Sequence, residues 1–148
     1  MKLEYALAVA APPDRLWSRV MDIPQAARCL PGAAAVTPMG SGEFKGTLLA
    51  QVGPLRLVLE GEIAVVTRDD VARRALLRAS AKDTRLGGTL RARVDVEVNE
   101  APGGSRLRIS TDAEVGGRIG EFGQAVMERK SAKILEQFMQ CVAAAATR

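Results

Sequence analysis

Apolar and polar side chains alternate over residues 2–10, which is the pattern of a half-buried strand. The apolar side of this strand carries Leu3, Tyr5, Leu7 and Val9.

Two short helices are predicted after this strand. Pro12-Pro13-Asp14 marks the start of the first, because proline suits the first helical turn and an acidic residue favours its positive end. Its apolar stripe consists of Leu16, Trp17, Val20 and Met21. Pro24 ends this helix and allows a second over residues 25–30, which Pro31-Gly32 terminates.

The middle of the chain has the alternation of an antiparallel meander. Apolar residues occupy even positions over residues 44–52 and odd positions over residues 55–65, on either side of Gly53-Pro54. A hairpin with a two-residue turn requires this change of parity. The predicted opposite pairs include Leu48 with Leu59 and Gly46 with Gly61.

Two further hairpins extend the predicted sheet. The connection at Asp69-Asp70 predicts Ile63 opposite Leu77, and a turn at residues 100–103 predicts Val94 opposite Ile109. The outward charge pairs in these registers are Glu62 with Arg78, Glu97 with Arg106, Asp95 with Arg108 and Arg91 with Asp112. Cross-strand pairs of this kind contribute about 0.2–1 kcal/mol each. These pairs explain much of the arginine content, so the arginines need not indicate an external binding partner.

Apolar residues recur at helical spacing near the end of the chain and predict one amphipathic helix over residues 117–146. Gly116-Gly117 breaks the preceding strand. A long helix after an antiparallel sheet is expected to lie in the concavity of that sheet. The sequence therefore predicts one α+β domain over residues 1–148, with a curved antiparallel sheet of six or seven strands wrapped around a long C-terminal helix.

The amino-acid composition limits which classes of function fit this chain. Apolar residues make up 47% of the 148 residues, but aromatic residues only 3%, so either a cavity or a core filled by aliphatic side chains is expected. The net charge of +4 is carried by scattered basic residues, so no nucleic acid is expected as a partner. Without a signal peptide or about 18 consecutive apolar residues, the expected location is the cytoplasm.

Few residues suggest chemistry. The chain has no histidine, which excludes catalytic triads that use histidine and histidine-based metal sites. Cys29 and Cys141 fit neither a disulfide framework nor a zinc site, and Cys29 is expected to be a small buried apolar residue. We expect no metal, no cofactor and no catalytic residue.

An ordered set of motifs resembles the carbon monoxide dehydrogenase G-subunit family, which belongs to the START-like (SRPBCC, helix-grip) superfamily. The motifs are residues 11–17 with their Pro-Pro-Asp helix start, Cys29-Leu30-Pro31-Gly32, and Val52-Gly53-Pro54. The resemblance implies a helix-grip fold and a ligand-holding or membrane-linking accessory protein of a molybdenum hydroxylase. Because the chain stops just after Ala143-Ala144-Ala145-Ala146, anchoring by an apolar tail is not expected, and attachment to the inner membrane face through a helix or loop remains open.

The predicted site is the groove between the long helix and the sheet, with a quinone or a lipid chain as the guest. The predicted ligand-binding residues are Trp17, Leu30, Pro31, Leu48, Leu57, Leu59, Leu77, Val94, Ile109, Phe122, Gly123, Val126 and Met127. Two alternatives remain open. One is a docking or maturation subunit with a closed core, and the other is a START-like cyclase or dehydratase, which would need acids, tyrosine or arginine inside the cavity.

Overall fold

A computed structural model describes residues 1–148 as a seven-stranded antiparallel sheet with a long helix across one face. The strands are β1 (Lys2–Val9), β2 (Thr37–Gly40), β3 (Glu43–Val52), β4 (Leu55–Asp69), β5 (Arg74–Asp83), β6 (Gly88–Ala101) and β7 (Gly104–Gly117), in the spatial order β1-β7-β6-β5-β4-β3-β2. The helices are α1 (Pro13–Met21), α2 (Ile23–Ala26) and α3 (Gln124–Ala146). The α+β helix-grip fold expected from the sequence is confirmed.

The first helix forms as predicted, and the second begins earlier. Proline lies in the first turn of both α1 and α2, where its missing N–H costs no hydrogen bond. The second helix therefore starts at Ile23 instead of residue 25, and it tightens into a 3₁₀ turn over Ala27–Cys29. The apolar stripe of α1 is buried as expected.

One of the three predicted hairpin registers is correct. Leu48 pairs with Leu59, and the two facing glycines pair as predicted. In the β4–β5 hairpin, Ile63 pairs with Ala79 instead of Leu77. The turn lies at residues 70–73, since Asp69 pairs with Arg74, and a bulge between Val65 and Thr67 offsets one residue of the resulting shift. The shift is two residues, so each side chain stays on its predicted face. It also places Ser80 opposite Glu62, so the pair with Arg78 was wrong.

The β6–β7 register is also shifted by two residues. Pro102 and Gly103 form a tight turn, with φ of +80° at Gly103, the chemistry of a type II turn. Val94 therefore pairs with Thr111 and not with Ile109. The predicted charge pairs of this hairpin were wrong, and the observed opposite pairs are Glu97 with Arg108, Arg93 with Asp112 and Arg91 with Glu114.

The predicted helix over residues 117–146 is interrupted. Arg118–Phe122 form a 3₁₀ turn, and α3 starts only after Gly123, whose φ is +86°. Gly123 is thus an exposed helix-capping residue rather than part of the apolar stripe, and a side chain there would point into open space. Glycine is required because L side chains rarely adopt this conformation.

The core consists of two clusters. The larger one joins the last turns of α3 to α1 and the sheet, and its wholly buried members include Leu16, Val98, Leu107 and Met139. The smaller one, with Val52, Leu57, Leu59 and Ile119 at its centre, packs under the start of α3.

Cys29 and Cys141 form a disulfide, contrary to the expectation from the sequence. Their Cα atoms are 5.5 Å apart, and the bond joins the 3₁₀ turn after α2 to α3. The residues are 112 positions apart, so no local spacing signals the pair. Only the packing of α3 on the sheet brings the two cysteines together.

Asp83 is a buried carboxylate that ends β5. It accepts hydrogen bonds from the backbone N–H groups of Leu86 at 2.7 Å, Arg85 at 2.8 Å and Val58 at 2.9 Å. These bonds, the one from Leu86 foremost, hold the pKa of Asp83 below its ordinary value.

Removing the disulfide should destabilise the fold, because the bond restricts the unfolded chain over a loop of 112 residues. For the variant with Cys29→Ser and Cys141→Ser, we expect a loss of about 2–5 kcal/mol in the free energy of unfolding. Urea unfolding with and without a thiol reductant measures it, and the double variant should not respond to reductant. Two free thiols in denatured, unreduced protein would contradict the pairing.

The Asp83 carboxylate should also make stability depend on acid pH. Since its pKa is lowered on folding, its hydrogen bonds act fully above the unfolded value of 3.8 and are lost as the pH falls through the folded value. Asp83→Asn should lower the urea midpoint at neutral pH and flatten the decline between about pH 5 and pH 2. Asp112→Asn, at an exposed carboxylate on the outer face, is the matched control. Equal pH profiles for the two variants would exclude this role.

Candidate functional site

A cavity of about 310 Å³ lies between α3, the α1–α2 segment and the concave face of the sheet. Of its 23 lining residues, 21 are hydrophobic. The volume is at the lower end of the range for small-molecule pockets, about 300–1,000 Å³. The cavity is therefore the candidate site.

A row of small side chains creates this space. Ala79 of β5, Ala92 of β6 and Ala113 of β7 lie side by side across three neighbouring strands, and all three line the cavity. Each presents a single methyl group towards α3, so the sheet does not fill the gap beneath the helix. Phe138 is the one aromatic residue in the lining, in agreement with the low aromatic content of the chain.

Five of the residues predicted from the sequence line the cavity. They are Leu30, Leu48, Leu77, Val94 and Ile109. The four strand residues share the inner face of the sheet, which the alternation pattern identified in spite of the register errors.

Five other predicted residues lie beside the cavity, in the smaller core cluster. They are Leu57, Leu59, Phe122, Val126 and Met127. The last three lie in or before the first turn of α3, which begins seven positions later than predicted, so they cover the end of the sheet and not its middle.

The remaining three predicted residues also lie outside the cavity. Trp17 is buried in the main core, where its indole Nε1–H donates to the Asp70 carboxylate at 2.9 Å. Pro31 lines a separate depression on the surface, and Gly123 is the exposed residue that caps the start of α3.

Most of the helical residues that line the cavity were not among the residues predicted from the sequence. Ile134, Leu135 and Phe138 of α3 line the cavity opposite the sheet, and Ile23, Ala26 and Ala27 close it beside α2. The residues of α3 belong to the apolar stripe found in the sequence. Which part of that stripe lies over the middle of the sheet depends on where the helix begins, and the sequence did not show this. The alanine row has a sequence signal as well, namely small apolar residues at inner-face positions of consecutive strands.

The cavity has almost no polar chemistry. Thr111 of β7 and Ser131 of α3 contribute the only side-chain hydroxyls, and no ionisable side chain is part of the lining. The N-terminal ammonium of Met1, a lining residue, donates to the Ala113 carbonyl at 2.8 Å. The arrangement suits a neutral, largely apolar guest.

No helix of this protein has both the length and the apolar character needed to cross a bilayer.

Solved structures with this fold include proteins of low sequence identity. A conserved protein from Geobacillus kaustophilus superposes with a TM-score of 0.89 at 16% identity, over 99% of this chain and 95% of that one. The Zhui aromatase/cyclase from Streptomyces sp. R1128 superposes with a TM-score of 0.72 at 17% identity, over 100% of this chain and 94% of that one. At such identities the similarity establishes the fold alone.

The sequence itself identifies the family. Among curated proteins none matches the chain. The family described as the G subunit of carbon monoxide dehydrogenase (CoxG), however, matches over residues 6–147. Because this match spans nearly the whole chain, the protein belongs to the CoxG family of carbon monoxide dehydrogenase subunits.

Proposed function

We propose that this protein is a non-catalytic accessory protein whose cavity holds a hydrophobic guest, a quinone or a lipid chain. We further propose that it supports, or links to the membrane, a molybdenum hydroxylase of the carbon monoxide dehydrogenase type. The observation that carries the proposal is the cavity of about 310 Å³ with 21 hydrophobic residues among its 23 lining residues.

The energetics of such a cavity favour an apolar guest. Each methylene group transferred from water into an apolar site contributes about 0.8 kcal/mol. The open space beneath α3 needs no rearrangement to receive it. A headgroup or short chain segment fits the volume, and a longer chain would extend beyond it.

The cyclase-like alternative finds less support in the lining. Acid–base catalysis on a bound substrate needs positioned ionisable groups. Acids, tyrosine and arginine do not line this cavity. Two separate hydroxyls on an apolar wall can bind and orient a guest, and they provide neither a strong base nor a strong acid.

A surface next to the cavity supports the proposed membrane contact. Exposed Pro31 and Leu49 share a surface depression with Lys130 and Lys133. Ile134 lines both this depression and the cavity. Apolar side chains flanked by lysines suit a membrane surface with anionic lipids, and the guest would pass there between protein and bilayer.

Filling the alanine row should block the guest. In Ala79→Leu the larger side chain points into the cavity, so we expect at least about tenfold weaker binding of a short-chain menaquinone analogue. Overpacking costs typically about 1–3 kcal/mol, so the variant should remain folded. Ser80→Leu is the matched control, because Ser80 is exposed on the outer face of the same strand. Fluorescence titration measures the affinity and circular dichroism the fold.

A second measurement identifies natural guests. Purified parent protein is extracted with organic solvent and analysed by mass spectrometry, with Ala79→Leu in parallel. A quinone or lipid recovered from the parent and depleted in Ala79→Leu is the expected result. If the parent binds none, the carrier proposal fails and a docking subunit without ligand takes its place. If a folded Ala79→Leu binds as the parent does, the guest binds elsewhere.

A further inference from the structure

Two unpaired hydroxyl groups face the cavity. The buried hydroxyl of Ser105 donates to the Ala11 carbonyl, as is usual for hydroxyls in a protein core, and the exposed hydroxyl of Thr147 donates to the Ala144 carbonyl. The hydroxyls of Thr111 and Ser131, which line the cavity, have no such partner, and neither oxygen is shut off from solvent. A serine in a helix can bond to the carbonyl four residues before it, and Ser131 does not do so. Both hydroxyls are therefore free for the occupant of the cavity.

These hydroxyls come from opposite walls. Thr111 lies on β7 directly opposite Val94 of β6, on the concave face of the sheet. Ser131 lies on α3, one turn before Ile134 and Leu135, which line the same cavity. A guest between sheet and helix meets one hydroxyl from each wall, and all its other side-chain contacts are apolar.

We propose that Thr111 and Ser131 position and select the guest by donating hydrogen bonds to oxygen atoms on two opposite edges of it. This inference rests on the proposed function, since it needs a guest in the cavity. The guest class that fits is a neutral, flat, apolar ring with a carbonyl on each side. A guest bound between the two walls would cover both hydroxyls, and hydrogen bonds to its oxygen atoms would offset the cost of removing them from solvent.

The same arrangement disfavours other hydrophobic molecules. A hydrocarbon would leave both hydroxyls unpaired. A carboxylate or phosphate would have no basic side chain to pair with. The one charge in the lining, the Met1 ammonium, already donates to the Ala113 carbonyl.

The test compares two probes in four proteins. The probes are a short-chain naphthoquinone and the naphthalene hydrocarbon with the same substituents. The proteins are the parent, Thr111→Val, Ser131→Ala, and Ser110→Ala as the control on the outer face of β7. Each cavity variant should weaken quinone binding by about 2- to 10-fold and leave hydrocarbon binding unchanged. The carbonyl stretching frequency of the bound quinone should be lowered in the parent and restored towards its free value in the variants.

The outcomes separate this inference from the proposed function. If the parent binds both probes and the variants bind quinone like the parent, the hydroxyl pair does not select the guest, but the cavity still carries it. If the parent binds neither probe, nor any quinone or lipid, the proposed function itself fails. Tighter binding of a fatty acid than of the quinone would overturn the selection for neutral guests. Thr111→Ser keeps a hydroxyl, so recovery of quinone affinity in it distinguishes hydrogen bonding from a packing defect in Thr111→Val.

Discussion

The packing of α3 on the concave face of the sheet is the interaction on which the rest of the structure depends. The last turns of this helix bury Met139 and Val142 against Val98 and Leu107. Each large side chain buried in this way contributes about 1.5–3 kcal/mol. The same contact fixes the path of the helix across the sheet, positions the cysteine on α3 beside the 3₁₀ turn, and determines which inner-face residues remain uncovered.

The cavity is a consequence of how this helix is supported. The larger cluster holds its C-terminal half, and the smaller cluster under Val126 and Met127 holds its start. Between them the sheet offers the methyl groups of Ala79, Ala92 and Ala113, which are too short to reach the helix. Protein interiors are usually close-packed, so a gap of this size in the middle of the core is a specific feature of the sequence.

The alternation of side chains predicted the fold and its inner face, because strand parity survives errors of register. Leu48, Leu77 and Val94 therefore line the cavity, although two of the three predicted hairpins were shifted. The shifts came from the turn at residues 70–73, which a bulge in β4 partly offsets, and from a type II turn at the β6–β7 connection. All of these depend on local backbone geometry. Alternation alone carries no information on them. The helical wall and the disulfide could not be predicted for a different reason. In the sequence, the spacing of Gly123 places it in an apolar stripe. Only the structure, with a positive φ at this residue, shows that the helix begins after it. The pairing of Cys29 with Cys141 follows from the path of α3, so it requires the tertiary structure.

The cavity also links stability to function. A cavity wall has no packing partners, so the empty protein lacks contacts that a well-filled core would have. A guest that binds the folded state alone supplies them and raises the free energy of unfolding by an amount that grows with its concentration. The alanine row thus leaves the empty domain with fewer packing contacts, and a bound guest would supply the missing ones. Because no ionisable side chain lines the cavity, the arrangement suits a neutral guest and offers no charged group to pair with an ionic one.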